Sequence, residues 1–198
     1  MSFSSAIQAT IEASIATKQA LLVQQSEAIE RIGKTLAEKL TQGGKIMFCG
    51  NGGSAADSQH LAAELVIRLR SSVNRAAIPA MALTVDPSIM TAGGNDLGYD
   101  HVFERCIEAY GRKGDVLIGI STSGNSRNVK LAMDKAKNNG IHVIGLLGGD
   151  GGFILEACDD CVIVPSSVTA RIQESHIMIG HIWCEMIEEL LFPELFTK

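Results

Sequence analysis

The chain has 198 residues, a length that suits one domain rather than two. Hydrophobic residues make up 46% and aromatics only 5%, so a sizeable core is expected and it must be aliphatic. A formal charge of -5, from 17 basic and 22 acidic residues, argues against nucleic-acid binding by bulk charge. A phosphate ligand stays open, because backbone N–H groups bind one without any lysine. No run reaches the ~18 consecutive apolar residues of a membrane span. Met1 to Gln8 lacks the basic and apolar parts of a secretory start. With five scattered cysteines, a cytoplasmic protein with reduced thiols is expected. Cys158 and Cys161 have CxxC spacing, but no second pair exists for a zinc ribbon. Asp159 and Asp160 between them oppose the low thiol pKa of a redox pair, so a core cysteine opening a strand is the preferred reading.

In chain order, Ser4 to Gln42 reads as helix, with Ile7, Ile11, Ile15, Leu21 and Leu22 forming an apolar stripe. A second helix is expected through Ala28, Ile32, Leu36 and Leu40, stopped by Gly43 and Gly44. Strand and helix then alternate. The predicted strands are 45–49, 80–84, 116–120, 143–147 and 161–164. The predicted helices are 54–70, 88–92, 99–110, 125–138 and 169–191. Alternation of this kind implies a parallel sheet covered on both faces. The strands lack polar alternation, as strands buried on both faces should. Such sheets bind ligands beyond the carboxyl ends of their strands, so the loops there carry the functional question.

The first such loop is Gly50-Asn51-Gly52-Gly53-Ser54, whose glycines permit close backbone approach to a ligand, with Ser54 as expected N-cap. Gly50 to Ala55 also matches G-x-G-x-x-A, but the acidic residue expected ~20 positions later is missing, and Asn74 and Arg75 stand there instead. No nucleotide cofactor is therefore expected. The loop after the third strand, Ser121-Thr122-Ser123-Gly124-Asn125-Ser126, crowds hydroxyls before a helix, which suits a phosphate monoester better than a merely capped turn. No lysine follows it as in a nucleotide P-loop. The segment after the second strand ends Gly93-Gly94-Asn95-Asp96, where Asn95 and Asp96 either bond sugar hydroxyls or form an Asx-type turn.

His60 and Glu64 share a face of the helix that begins at the first loop, where they can bind a metal, move protons, or form a plain surface pair. The last helix adds Gln173, Glu174, His176 and His181. Gln173 and His181 lie about 80° apart in azimuth and ~12 Å along the axis. Either side-chain lean or two copies of the helix would be needed to close both on one ligand. Taken alone, His181 among Ile177, Ile179, Ile182 and Trp183 reads as a core or interface histidine.

Taken together, Gly50 to Ser54 with Asp57, His60 and Glu64, then Gly93 to Asp96, Ile120 to Ser126, Ala170 to Glu174 and His181 resemble the phosphoheptose (sedoheptulose 7-phosphate) isomerases of the sugar-isomerase, or SIS, family. The resemblance covers nearly the whole chain in the same order and spacing. It implies a doubly wound five-stranded parallel sheet flanked by helices, with residues 1–198 as a single SIS domain and 1–42 as N-terminal helices used in oligomerisation. It implies conversion of sedoheptulose 7-phosphate to D-glycero-D-manno-heptose 7-phosphate, the first step of ADP-heptose synthesis for the lipopolysaccharide core. It also implies a cytoplasmic homotetramer with active sites at subunit contacts. Carried over, Asn51, Gly52, Gly53, Glu64, Asn95, Asp96, Ser121, Thr122, Ser123, Ser126 and Gln173 bind substrate, and Glu64 and His181 transfer protons. Zinc would be held by His60, Glu64, Gln173 and His181. Some members carry Asp where Ala170 stands here, so any polar contact of that residue is absent. The chemistry agrees, since ketose–aldose exchange needs one group for the carbon-bound proton and another for the oxygens, and no redox cofactor. The alternative is the DnaA initiator-associating protein, a non-catalytic relative of the same fold. Its residue at the position of Glu64 is not acidic and its first loop departs from Gly-Gly-Ser, whereas this chain keeps both. A sugar-phosphate sensor would want a fused DNA-binding segment, which the sequence does not contain.

Overall fold

The computed structural model describes residues 3–196; the first and last two residues of the expected 1–198 domain lie outside the described residues. Helix α1 (Phe3–Thr41) leads into β1 (Ile46–Gly50), α2 (Gly53–Val66) and β2 (Ala80–Ala82). Then come α3 (Pro87–Asp96), α4 (Val102–Tyr110), β3 (Val116–Ser121), α5 (Arg127–Asn138), β4 (His142–Gly148), β5 (Asp160–Val164) and α6 (Thr169–Leu191). The five strands form one parallel sheet in the order β2-β1-β3-β4-β5. Strands β1 and β3 are buried at every position, which is why they read in sequence as unbroken apolar runs. The chain moves outward from β1 to β2, then returns to the other side of β1 with β3. The topological switch point therefore lies between the carboxyl ends of β1 and β3.

Two cores result. Leu36 and Leu40 of α1, Leu61 and Leu65 of α2, and Ile179 and Trp183 of α6 pack on one sheet face. Phe103 and Ile107 of α4 pack with Val129 and Met133 of α5 on the other. The Trp183 indole N–H donates to the Ile29 carbonyl at 3.0 Å, satisfying the one polar atom of a buried ring and tying α6 to α1.

Four expectations need correction. The N-terminal region is one continuous 39-residue helix, not two. Gly33 within it does not break it; a Cβ there would meet Met186 of α6, so this glycine serves close helix packing. Helix α2 ends at Val66 rather than Arg70. Ser54 is not its N-cap, because Gly52, at φ 56°, already turns the chain and the helix starts at Gly53. The short helix expected over 88–92 runs on to Asp96, which removes the Asx-type turn from the two readings of Asn95 and Asp96: Asp86 accepts from the N–H groups of Ser88 and Ile89, and Pro87 opens α3. This start signal outweighs the helix-weakening glycines further along.

Candidate functional site

The loops after β1 and β3 meet at the switch point. Asn51 and the buried Asn128 exchange reciprocal amide bonds of 2.9 and 2.8 Å, and the Tyr99 hydroxyl donates to the same Asn51 oxygen at 3.2 Å. The side chain of Asn51 thus ties three segments together: the β1 loop, the first turn of α5, and the approach to α4. Neither Asn128 nor Tyr99 stands out in the sequence, because each is one polar residue whose partner lies far along the chain.

In the β3 loop, Ser121 and Ser126 place their hydroxyl oxygens 3.0 Å apart. The Ser123 hydroxyl accepts from the Asn125 N–H at 3.2 Å, and Asn125 in turn holds the Phe153 N–H. Gly124 has φ 66° and packs directly on the backbone of Gly151, so a side chain is excluded on both counts. The loop is therefore a rigid array of hydroxyls before the N-terminus of α5, a place that favours an anion. Asn95 and Asp96 lie exposed at the end of α3, with the Asn95 amide donating to Asp96 at 2.7 Å.

Helices α2 and α6 run side by side in the same direction. Gln173 lies against Gly53, where a Cβ would strike its amide, and Gly180 lies against Leu61. Without a side chain at 180 the helices approach closely, and His181 meets His60 with Nε2 atoms 3.0 Å apart. Glu64 Oε1 is 3.2 Å from His60 Nε2, and ligand atoms of His60, Glu64 and His181 all lie within 4.8 Å of one another. Two imidazole nitrogens and a carboxylate are a donor set that zinc accepts. A tetrahedral ion with bonds of ~2.0–2.1 Å spaces its ligand atoms about 3.3 Å apart, close to the 3.0 and 3.2 Å that separate His60 from His181 and Glu64. The residues fit such an ion.

The structure brings three of the four expected metal ligands together within one chain, so His181 needs no second copy to reach His60 and Glu64. Gln173 also reaches α2 of its own chain, but at Gly53, about two helical turns or ~10 Å before His60. Asp57 is half-buried on the same helix one turn before His60. Burial raises its carboxyl above the ordinary aspartate range, with His60 acting in the opposite direction. His176 faces the core instead: its Nε2–H donates to the Leu147 carbonyl at 3.0 Å, and burial lowers its pKa to about 4. Cys158 is likewise a packing residue, its thiol pushed up to about 12 chiefly by burial.

A doubly wound parallel sheet with a hydroxyl-rich loop at the switch point defines a protein of the SIS-domain class, and the SIS-domain family model matches residues 11–148. The chain is 53% identical over 190 residues to a phosphoheptose isomerase of Clostridium acetobutylicum, covering 95% of this chain and 96% of that one. It is 52% identical over 186 residues to one of Leptospira biflexa, covering 94% and 95%. The structure of phosphoheptose isomerase GmhA from Neisseria gonorrhoeae superposes with a TM-score of 0.89 at 43% identity, over 95% of this chain and all of that one. The chain belongs to the phosphoheptose isomerase family.

Proposed function

We propose that the protein is the ketose–aldose isomerase that converts sedoheptulose 7-phosphate to D-glycero-D-manno-heptose 7-phosphate, opening ADP-heptose synthesis for the lipopolysaccharide core in the cytoplasm. The observation that carries this reading is the convergence of Glu64 and His181, from two different helices, beside His60. In a family of isomerases, a carboxylate and an imidazole held within a few ångströms are the pair that proton transfer between C1 and C2 requires.

One of the two takes the proton from carbon to form the enediol, and the other moves protons among the oxygens. The hydroxyls of Ser121, Thr122, Ser123 and Ser126, with the N-terminus of α5, hold the phosphate. Asn51, Gly52 and Gly53, with Asn95, Asp96 and Gln173, hold the sugar chain. His60, Glu64 and His181 would hold zinc, which when bound polarises the substrate carbonyl. The 198 residues act as one SIS domain, and α1 joins copies into a homotetramer.

Incubation of the purified protein with sedoheptulose 7-phosphate should yield an aldose phosphate. A folded protein that turns over no substrate would leave only the non-catalytic reading. Metal analysis after growth with added zinc should find the ion in wild type and not in His60→Ala. Full activity of metal-free protein would remove zinc from the chemistry.

A further inference from the structure

Arg75 touches none of the reacting groups, yet it joins the two helices that carry them. Its side chain and that of Glu188 are both 0% exposed. Its Nη2–H donates to the Glu64 carbonyl at 2.8 Å, and its Nη1 donates to the carbonyls of Leu65 at 2.9 Å and Ala76 at 3.0 Å. Its Nε–H donates to Glu188 Oε1 on α6 at 2.8 Å. The other Glu188 oxygen accepts from Arg70 Nε at 2.9 Å, and Arg70 also bonds Glu189.

The last carbonyls of a helix have no partner within it, and a cation is favoured there. Arg75 supplies both donors and charge to the last turn of α2, the turn that contains Glu64. Glu188 lies seven residues after His181, two turns along the same face of α6. One planar guanidinium with donors in a fixed fork thus sets where the backbone of Glu64 lies relative to α6.

We propose that Arg75, seated on Glu188, is a positioning residue for the isomerase: it fixes the separation and register of α2 and α6, and so holds Glu64 and His60 opposite His181. A buried ion pair is a poor device for stability alone, since apolar replacements are often as stable. It is a good device for geometry, because each bond is directional. The proposal rests on the assignment of Glu64 and His181 given above.

Two conservative variants test it. Arg75→Lys keeps the charge but loses the fork. Glu188→Gln keeps the shape, but its single amide oxygen can serve only one of two guanidiniums, while its NH₂ faces the donor of the other. Each should lower kcat by ~10–100-fold with KM within about twofold, the signature of misplaced reacting groups beside an intact phosphate site. Thermal melts and light scattering are taken on the same samples. A purely structural role predicts a lower Tm and an unchanged kcat per folded protein. With Glu64→Gln inactive, a kcat close to wild type in folded Arg75→Lys and Glu188→Gln would overturn this inference alone. Wild-type turnover by Glu64→Gln would overturn it together with the assignment beneath it.

Discussion

Replacing Glu64 by Gln preserves shape and removes the ability to accept a proton. General acid–base groups contribute ~10²–10⁴-fold each, so Glu64→Gln and His181→Gln should each lose kcat in that range. The double variant should be little worse than either, because the pair acts as a unit. Single-turnover and steady-state rates beside wild type check this, and a Glu64→Gln rate within about threefold of wild type would be far outside the range and would remove the assignment. His176 predicts a different behaviour. Its native pKa of about 4 lies below the unfolded 6.5, so between those values the unfolded chain binds a proton that the native one does not. Stability is therefore fully present above about pH 6.5 and is lost as pH falls toward 4, by up to ~1.4 kcal/mol per pH unit from this residue. Urea unfolding at pH 7 and pH 5 should show the fall in wild type and a weaker one in His176→Asn.

At the scale of elements, the proposed function divides the work between the β3 loop and α2. The loop hydroxyls sit in a backbone that Gly124 and Asn125 lock against Gly151 and Phe153. Replacing Ser121 and Ser123 together by Ala should therefore leave the loop in place and remove phosphate donors. KM should rise by at least about 10-fold, since each hydrogen bond to a charged group contributes ~1.5–3 kcal/mol and two donors are removed. A smaller loss in kcat is expected where remote binding energy serves the transition state. Unchanged kinetics would move the phosphate elsewhere. Isothermal titration with inorganic phosphate gives a second reading free of turnover.

For the whole molecule, α1 is longer than the domain beside it needs. Its second half packs Ile29, Ile32, Leu36 and Leu40 into the core, whereas Ile7, Ile11 and Ile15 are each at least half exposed. Between α1 and α6 lies an apolar groove of about 430 Å³ lined by Leu21, Leu22, Met178, Ile182 and Met186. Exposed isoleucines continuous with an apolar groove are where copies of the chain are expected to pack. A homotetramer built on these helices is expected, and light scattering at micromolar concentration measures it directly. Ile7→Glu with Ile11→Glu should shift the mass downward while leaving the far-ultraviolet circular dichroism of each chain intact. A wild-type monomer would contradict the assembly.

The strands were legible because a strand buried on both faces must be apolar throughout: 116–120 and 143–147 are runs that no surface element would carry. The serine loop and the His60–Glu64 pair were legible because each is local, six residues or one helical turn. The single length of α1 was not, since periodicity reports that a face is apolar and not what covers it. The run of α3 through Gly93 to Asp96 was not legible either, since its two glycines mask a helix whose start signal lies seven residues earlier at Asp86 and Pro87. By itself the sequence determined the alternation of strands and helices and the parallel sheet, both set by short-range pattern. Only the tertiary structure decided that His181 meets His60 across 121 positions, and that Arg75 reaches Glu188 across 113. Contacts of that range depend on how closely two helices pack on one sheet. That in turn hangs on the missing side chain of Gly180 against Leu61, a condition no local pattern carries.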